Sequence, residues 1–199
     1  MAPPFLRPPG ALSEKDLQAR CVSCGRCVAA CVYSCIEMRP DHPFFGGETP
    51  RVIQGRKPCF LCMRCGPACP TEALRPVFMQ EAGMGLAYLD RKRCVDYQTS
   101  SGVMCWTCYE RCPLKSSAIY LRNGYIPTVD KDKCVGCGVC EYVCPIQAIT
   151  VTPARMLPGK DKTQGAAAKD KGPDAQKAGI KELAVKLARL ILGKGAGGA

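Results

Sequence analysis

The sequence predicts an α+β fold in which short hairpins and helices pack around cysteine-lined sites instead of a continuous apolar core. Three observations carry this. The 199-residue chain holds 17 cysteines, enough to mark a cysteine-built scaffold. Most of them recur in runs of a single spacing. Around those runs a wider unit repeats, reading as strand, cysteine loop, short helix, strand.

Taken in order, residues 1–20 are a lead-in. "CVSCGRCVAAC" supplies Cys21, Cys24, Cys27 and Cys31, and "CFLCMRCGPACP" supplies Cys59, Cys62, Cys65 and Cys69, both spaced C-x2-C-x2-C-x3-C. A looser third copy places Cys94 ten residues ahead of "CWTCYERCP", with Cys105, Cys108 and Cys112. "KCVGCGVCEYVCP" restores the strict spacing with Cys134, Cys137, Cys140 and Cys144. Cys35 is left over. "YLDRKRC" and "TVDKDKC" lead into Cys94 and Cys134 through an alternating strand, an aspartate and basic residues, while "CPTEAL", "CPLKSSAI" and "CPIQAI" lead out into short apolar stretches. "AIYLRNGYIPTVD" reads as a hairpin turning at Asn123-Gly124, a pair suited to tight turns between alternating strands. The cysteine-bearing domain spans 21–153, and residues 154–179, rich in Gly, Ala, Lys and Asp, read as a flexible linker. In "IKELAVKLARLIL", Ile180, Leu183, Ala184, Leu187, Leu190 and Ile191 make one apolar stripe, so 180–193 is expected to be an amphipathic helix. With Lys181, Lys186 and Arg189 off the stripe, it suits either a membrane surface, a partner groove or the cap of its own domain.

Disulfides between such near neighbours would be strained, so the spacing points to metal. A cubane of four irons and four sulfides offers four irons to thiolates. A C-x2-C-x2-C loop wraps three of them while its backbone N–H groups face the sulfurs. In the bacterial ferredoxin pattern the last cysteine of a run, the one before proline, ligates the other cluster of a pair. The sixteen cysteines of the four runs therefore read as the ligands of four [4Fe-4S] clusters. Zinc ribbons also use C-x2-C pairs, but normally as two separated pairs. Cys35 reads as a buried spare thiol, and Trp106 either excludes water from its cluster or simply packs.

The formal charge of +11 invites a nucleic-acid reading. Four oxidised clusters with their thiolates contribute about −2 each, leaving the loaded protein near +3. No basic stripe interleaved with aromatics supports a cluster-stabilised nucleic-acid module, and no nucleic-acid partner is expected. Arg91, Lys92, Arg93, Lys131 and Lys133, beside ligand positions, are expected to hold thiolates ionised or to be solvated surface. No nucleophile–base pair or phosphate loop is present, so the chain reads as an electron carrier and not an enzyme.

"LRPPGALSEKDLQARC", "GMGLAYLDRKRCVDYQ" and "IPTVDKDKCVGCGVCEYVC" together resemble the NapG/MauM family of ferredoxin-type proteins, over about residues 6 to 152. Met84-Gly85-Leu86 and the gap after Cys94 are its most specific marks. The resemblance implies a four-cluster subunit of an oxidoreductase system that receives electrons from a membrane-bound quinol-oxidising protein and passes them toward a reductase. It implies a membrane-associated place on the periplasmic face. The family usually bears a twin-arginine signal, whereas the first thirty residues here contain neither paired arginines nor an apolar signal core. A soluble cytoplasmic polyferredoxin serving a low-potential oxidoreductase is therefore the alternative. Val32 replaces the usual proline after the first run, and the second run lacks the family's wider middle gap. By analogy with four-cluster subunits of related respiratory enzymes the runs are expected to nest. Cys21, Cys24 and Cys27 would then share a cluster with Cys144, and Cys134, Cys137 and Cys140 with Cys31. Likewise Cys59, Cys62 and Cys65 would take Cys112, and Cys94, Cys105 and Cys108 would take Cys69. Sequential pairing, first run with second, stays open.

Overall fold

The lead-in builds a helix because its start is capped twice over. Ser13 Oγ accepts the N–H of Asp16 at 3.2 Å, and Glu14 and Asp16 put carboxylates in the first turn, where the helix dipole favours them. Helix α1 (Glu14–Arg20) buries Leu17 completely and ends with Cys21 extended, its N–H bonded to Leu17 O. This computed structural model describes residues 5–40, 47–98 and 104–157. Arg7 ties the segment before α1 to the body. It donates to Glu14 at 2.6 Å, to Thr49 Oγ1 at 2.7 Å and to Pro50 O at 2.9 Å. Being 8 % exposed, it needs those partners to offset its desolvation.

Two similar halves follow each other along the chain. In the second, strand β3 (Gly85–Leu89) pairs antiparallel with β6 (Ile149–Pro153), the last strand. Between them in sequence lie helix α3 (Thr107–Glu110), the hairpin of β4 (Ile119–Arg122) and β5 (Ile126–Val129), and helix α4 (Val139–Val143). The hairpin turns through left-handed Asn123 (φ 54°) and Gly124 (φ 81°), as the Asn-Gly pair anticipates. The first half repeats this order with its outer pair reduced to a bridge, Ala11 to Leu74, and with a turn in place of the second helix. Helix α2 (Arg26–Ala29) and the hairpin of β1 (Ile36–Pro40) and β2 (Glu48–Val52) lie between. The fold is thus α+β, as expected.

The halves are joined by backbone and side-chain bonds, Cys59 N–H to Cys137 O at 3.0 Å and Gln54 Nε2 to Val151 O at 2.7 Å. Met84-Gly85-Leu86 has a steric reason. A Cβ on Gly136 would lie 2.3 Å from the Gly85 backbone, and one on Gly85 would lie 2.4 Å from Thr152 O. Only glycine allows β3 to pass between them.

Two boundaries differ from expectation. The described part of the lead-in belongs to the body, since Leu6 and Leu17 are 1 % and 0 % exposed. Residues 154–157, expected in the linker, are also part of it: Ala154–Met156 forms a 3-10 turn, Ala154 N–H bonds Met84 O, and Arg155 lies 3.5 Å over the Phe5 ring. The rest of the linker and the expected helix 180–193 lie outside the described residues.

Four cysteine-lined cavities

Each cysteine loop is shaped by backbone that few side chains adopt freely. The residue after the middle cysteine is left-handed in all four copies: Gly25 (φ 71°), Met63 (φ 57°), Trp106 (φ 47°) and Gly138 (φ 85°). In the three strict copies the residue before it is left-handed too, namely Ser23, Leu61 and Gly136. Backbone of this kind turns successive N–H groups to one side, a nest that favours anions. At Met63 and Trp106 it costs about 1–3 kcal/mol each.

The aspartates ahead of the third and fourth runs place the first cysteine. Asp130 Oδ1 accepts the N–H of Asp132 at 2.9 Å, and Asp130 O accepts the N–H of Cys134 at 2.9 Å. Asp90 repeats both bonds with Lys92 N–H and Cys94 N–H, at 2.9 and 3.0 Å. The neighbouring cations are exposed and engaged elsewhere. Lys133 Nζ is 3.8 Å from Asp130 Oδ2, Arg93 donates to Ile146 O at 3.0 Å, and Arg91 lies over the Tyr97 ring.

The loops line four cavities, each partly open to solvent, whose non-atom space is of similar size. The first (310 Å³) is lined by Cys21, Cys24, Cys27 and Cys69, and the second (270 Å³) by Cys31, Cys59, Cys62 and Cys65 together with Cys35. The third (320 Å³) is lined by Cys94, Cys105, Cys108 and Cys144, and the fourth (340 Å³) by Cys112, Cys134, Cys137 and Cys140. This corrects the nested expectation. Each run gives three cysteines to its own cavity and the fourth to that of its neighbour within the same half, so Cys31 and Cys69 are exchanged, as are Cys112 and Cys144. Within one half, two loops face each other across a hairpin, whereas nesting would require Cys21 and Cys144, at opposite ends of the body's sequence, to converge.

None of the seventeen cysteines is joined in a disulfide. Burial pushes the Cys27 thiol up to about 11 and those of Cys65, Cys108 and Cys137 up to about 12. A thiolate is stable there only against positive charge, which iron supplies when it displaces the protons. At Cys69 burial acts the same way, but the N–H groups of Leu74, Thr71 and Ala73 and the Thr71 hydroxyl outweigh it and lower the pKa. N–H donors to sulfur recur, Ala148 to Cys144 Sγ at 3.2 Å and Ala87 to Cys134 Sγ at 3.5 Å.

The donor set fits a cubane better than a single ion. Four sulfurs hold zinc at about 2.3 Å and leave no cavity. Among the described residues no three Cys, His, Asp or Glu side chains converge as one ion would require.

One residue of the site escapes a reading based on cysteine spacing. Asp96 is 3 % exposed and lines the third cavity. Its carboxylate accepts the N–H of Cys105 at 2.7 Å and of Trp106 at 3.4 Å, closing the gap that separates Cys94 from the rest of its run. Trp106 does not line that cavity. Its Nε1 donates to Tyr125 O at 2.8 Å, fixing the loop to the β4–β5 turn.

Such a fold and donor set define a ferredoxin-type iron–sulfur protein. A family model described as a 4Fe-4S dicluster domain matches residues 20–73, and one described as a 4Fe-4S binding domain matches residues 127–150. The chain is 40 % identical over 168 residues to the methylamine utilization ferredoxin-type protein MauM of Methylorubrum extorquens, covering 76 % of this chain and 74 % of that one. It is 37 % identical over 172 residues to the ferredoxin-type protein NapG of Escherichia coli, covering 78 % and 73 %. MauM of Paracoccus denitrificans is 37 % identical over 195 residues, covering 88 % and 78 %. The chain belongs to the NapG/MauM family of ferredoxin-type proteins, and it is an iron–sulfur electron-transfer protein.

Proposed function

We propose that the chain is a linear relay of four [4Fe-4S] centres, with the sixteen cysteines of the four runs as ligands, grouped as the cavities group them. The observation that carries this reading is the way the cavities adjoin. The first and second exchange Cys31 and Cys69, the third and fourth exchange Cys112 and Cys144, and the Cys59 N–H to Cys137 O bond links the second to the fourth. The order is first, second, fourth, third. When bound, each cluster takes up and releases one electron. The protein shields it, holds the thiolates and aims N–H donors at sulfur, which sets the potential.

Family membership supports a place between two other redox proteins, a quinol-oxidising membrane protein as donor and a reductase as acceptor, on the periplasmic face. No described helix is long and apolar enough to cross a membrane, and residues 180–193 are the proposed contact with a membrane surface. Reductive titration of the anaerobic protein should consume about four electrons per chain, one for each cluster. A protein that takes up none would contradict the relay.

A further inference from the structure

The four cysteine runs leave their loops by one device with one exception. Ala73, Ala118 and Ala148 are 2, 3 and 3 % exposed, and each precedes a buried aliphatic, Leu74, Ile119 and Ile149. At the first run the corresponding residue is Cys35, 1 % exposed, before Ile36. The backbone confirms the correspondence. The carbonyls of Cys35, Ala73, Ala118 and Ala148 each accept an N–H from a facing segment, those of Ile53, Leu12, Asp130 and Asp90, at 2.9, 3.2, 2.9 and 2.8 Å. Left-handed Ser34, Glu72 and Gln147 immediately precede Cys35, Ala73 and Ala148. A methyl group therefore fills this place in three copies, and a thiol fills it in one.

That thiol faces sulfur. Cys35 lines the second cavity together with Cys59, and its Sγ is 3.4 Å from Cys31 Sγ. Both neighbours are ligands in the reading above, on which this inference rests. We infer that Cys35 is a hydrogen-bond donor to the ligand sulfurs of the second site, giving that site a higher reduction potential than alanine would. Four irons take four thiolates, and a fifth uncompensated charge in a buried cavity is strongly disfavoured, so Cys35 keeps its proton. An S–H aimed at a ligand sulfur favours the more negative reduced cluster over the oxidised one and raises the potential. A single side chain thereby distinguishes one of four otherwise similar sites.

The test compares loaded wild type with Cys35→Ala, which restores the residue of the other three copies and so keeps every packing element they have, and with Cys35→Ser, which keeps a donor. Iron is counted, and potentials are read by spectroscopic redox titration. Both variants should keep wild-type iron. In Cys35→Ala one potential of the set should fall by about tenfold in the reduction equilibrium, which is about 59 mV for one electron, whereas Cys35→Ser should retain most of the wild-type value. Unchanged potentials in Cys35→Ala, or an equal fall in both variants, would overturn the donor role. Iron loss in Cys35→Ala would overturn it by making Cys35 a ligand. Absence of iron from the wild type would instead refute the underlying ligand reading.

Discussion

Asp96→Ala should purify with about three quarters of the wild-type iron, one cluster of four being lost, while Asp96→Asn keeps nearly all of it. In the strict copies the first and second cysteines are fixed by the short chain between them. In the third copy ten residues intervene, and the carboxylate of Asp96 holds the two together by accepting the N–H groups of Cys105 and Trp106. Bonds to a buried charged acceptor are worth about 1.5–3 kcal/mol each. Truncation also strands the Cys105 N–H and frees the left-handed turn at Trp106, so Cys94 no longer has a fixed distance to Cys105 and Cys108. Asparagine retains an acceptor oxygen for the shorter bond. Iron analysis of the three proteins decides it, and a fully loaded Asp96→Ala would contradict the anchoring role.

Cys137→Ser and Cys112→Ser should each abolish or convert the same cluster signal and disturb its neighbour in the same half. Cys137 and Cys112 line one cavity although they come from different runs, and the runs exchange their last cysteines with the third cavity, so damage to one loop displaces a ligand of the other. Cys137 also bears the carbonyl that receives Cys59 N–H, so the second site should be perturbed more weakly. Cys31→Ser should remove a different signal, that of the second site. Paramagnetic resonance of the reduced proteins separates these cases. Loss of one common signal in Cys137→Ser and Cys31→Ser, with a separate one lost in Cys112→Ser, would restore the nested arrangement.

Much of this site could be read from the residues, and the parts that could not share a cause. Runs of cysteine at fixed spacing, the Asn123-Gly124 turn and the Asp90 and Asp130 turns are local, set by neighbours within a few positions. Pairing of the runs is not local. Four successive cysteine runs fit nested and sequential exchange equally well, and only the separate hairpins β1–β2 and β4–β5 decide which loops face each other. Asp96 looked like any polar loop residue, and the single hint was the gap after Cys94, which required something to close it. Arg91, Arg93 and Lys133 stand beside ligand positions, but each of these exposed cations finds a nearer ring, carbonyl or carboxylate than a buried sulfur. Cys35 was visible as the odd cysteine and as buried. Its place opposite Cys31 and Cys59 depends on β1 returning along the second cavity.

The central claim, four cubanes held by sixteen cysteines in two tandem halves, is tested most directly by iron and acid-labile sulfide analysis of the anaerobically purified chain. It predicts about 16 of each per chain. About 8 of each, or zinc in place of sulfide, would contradict it.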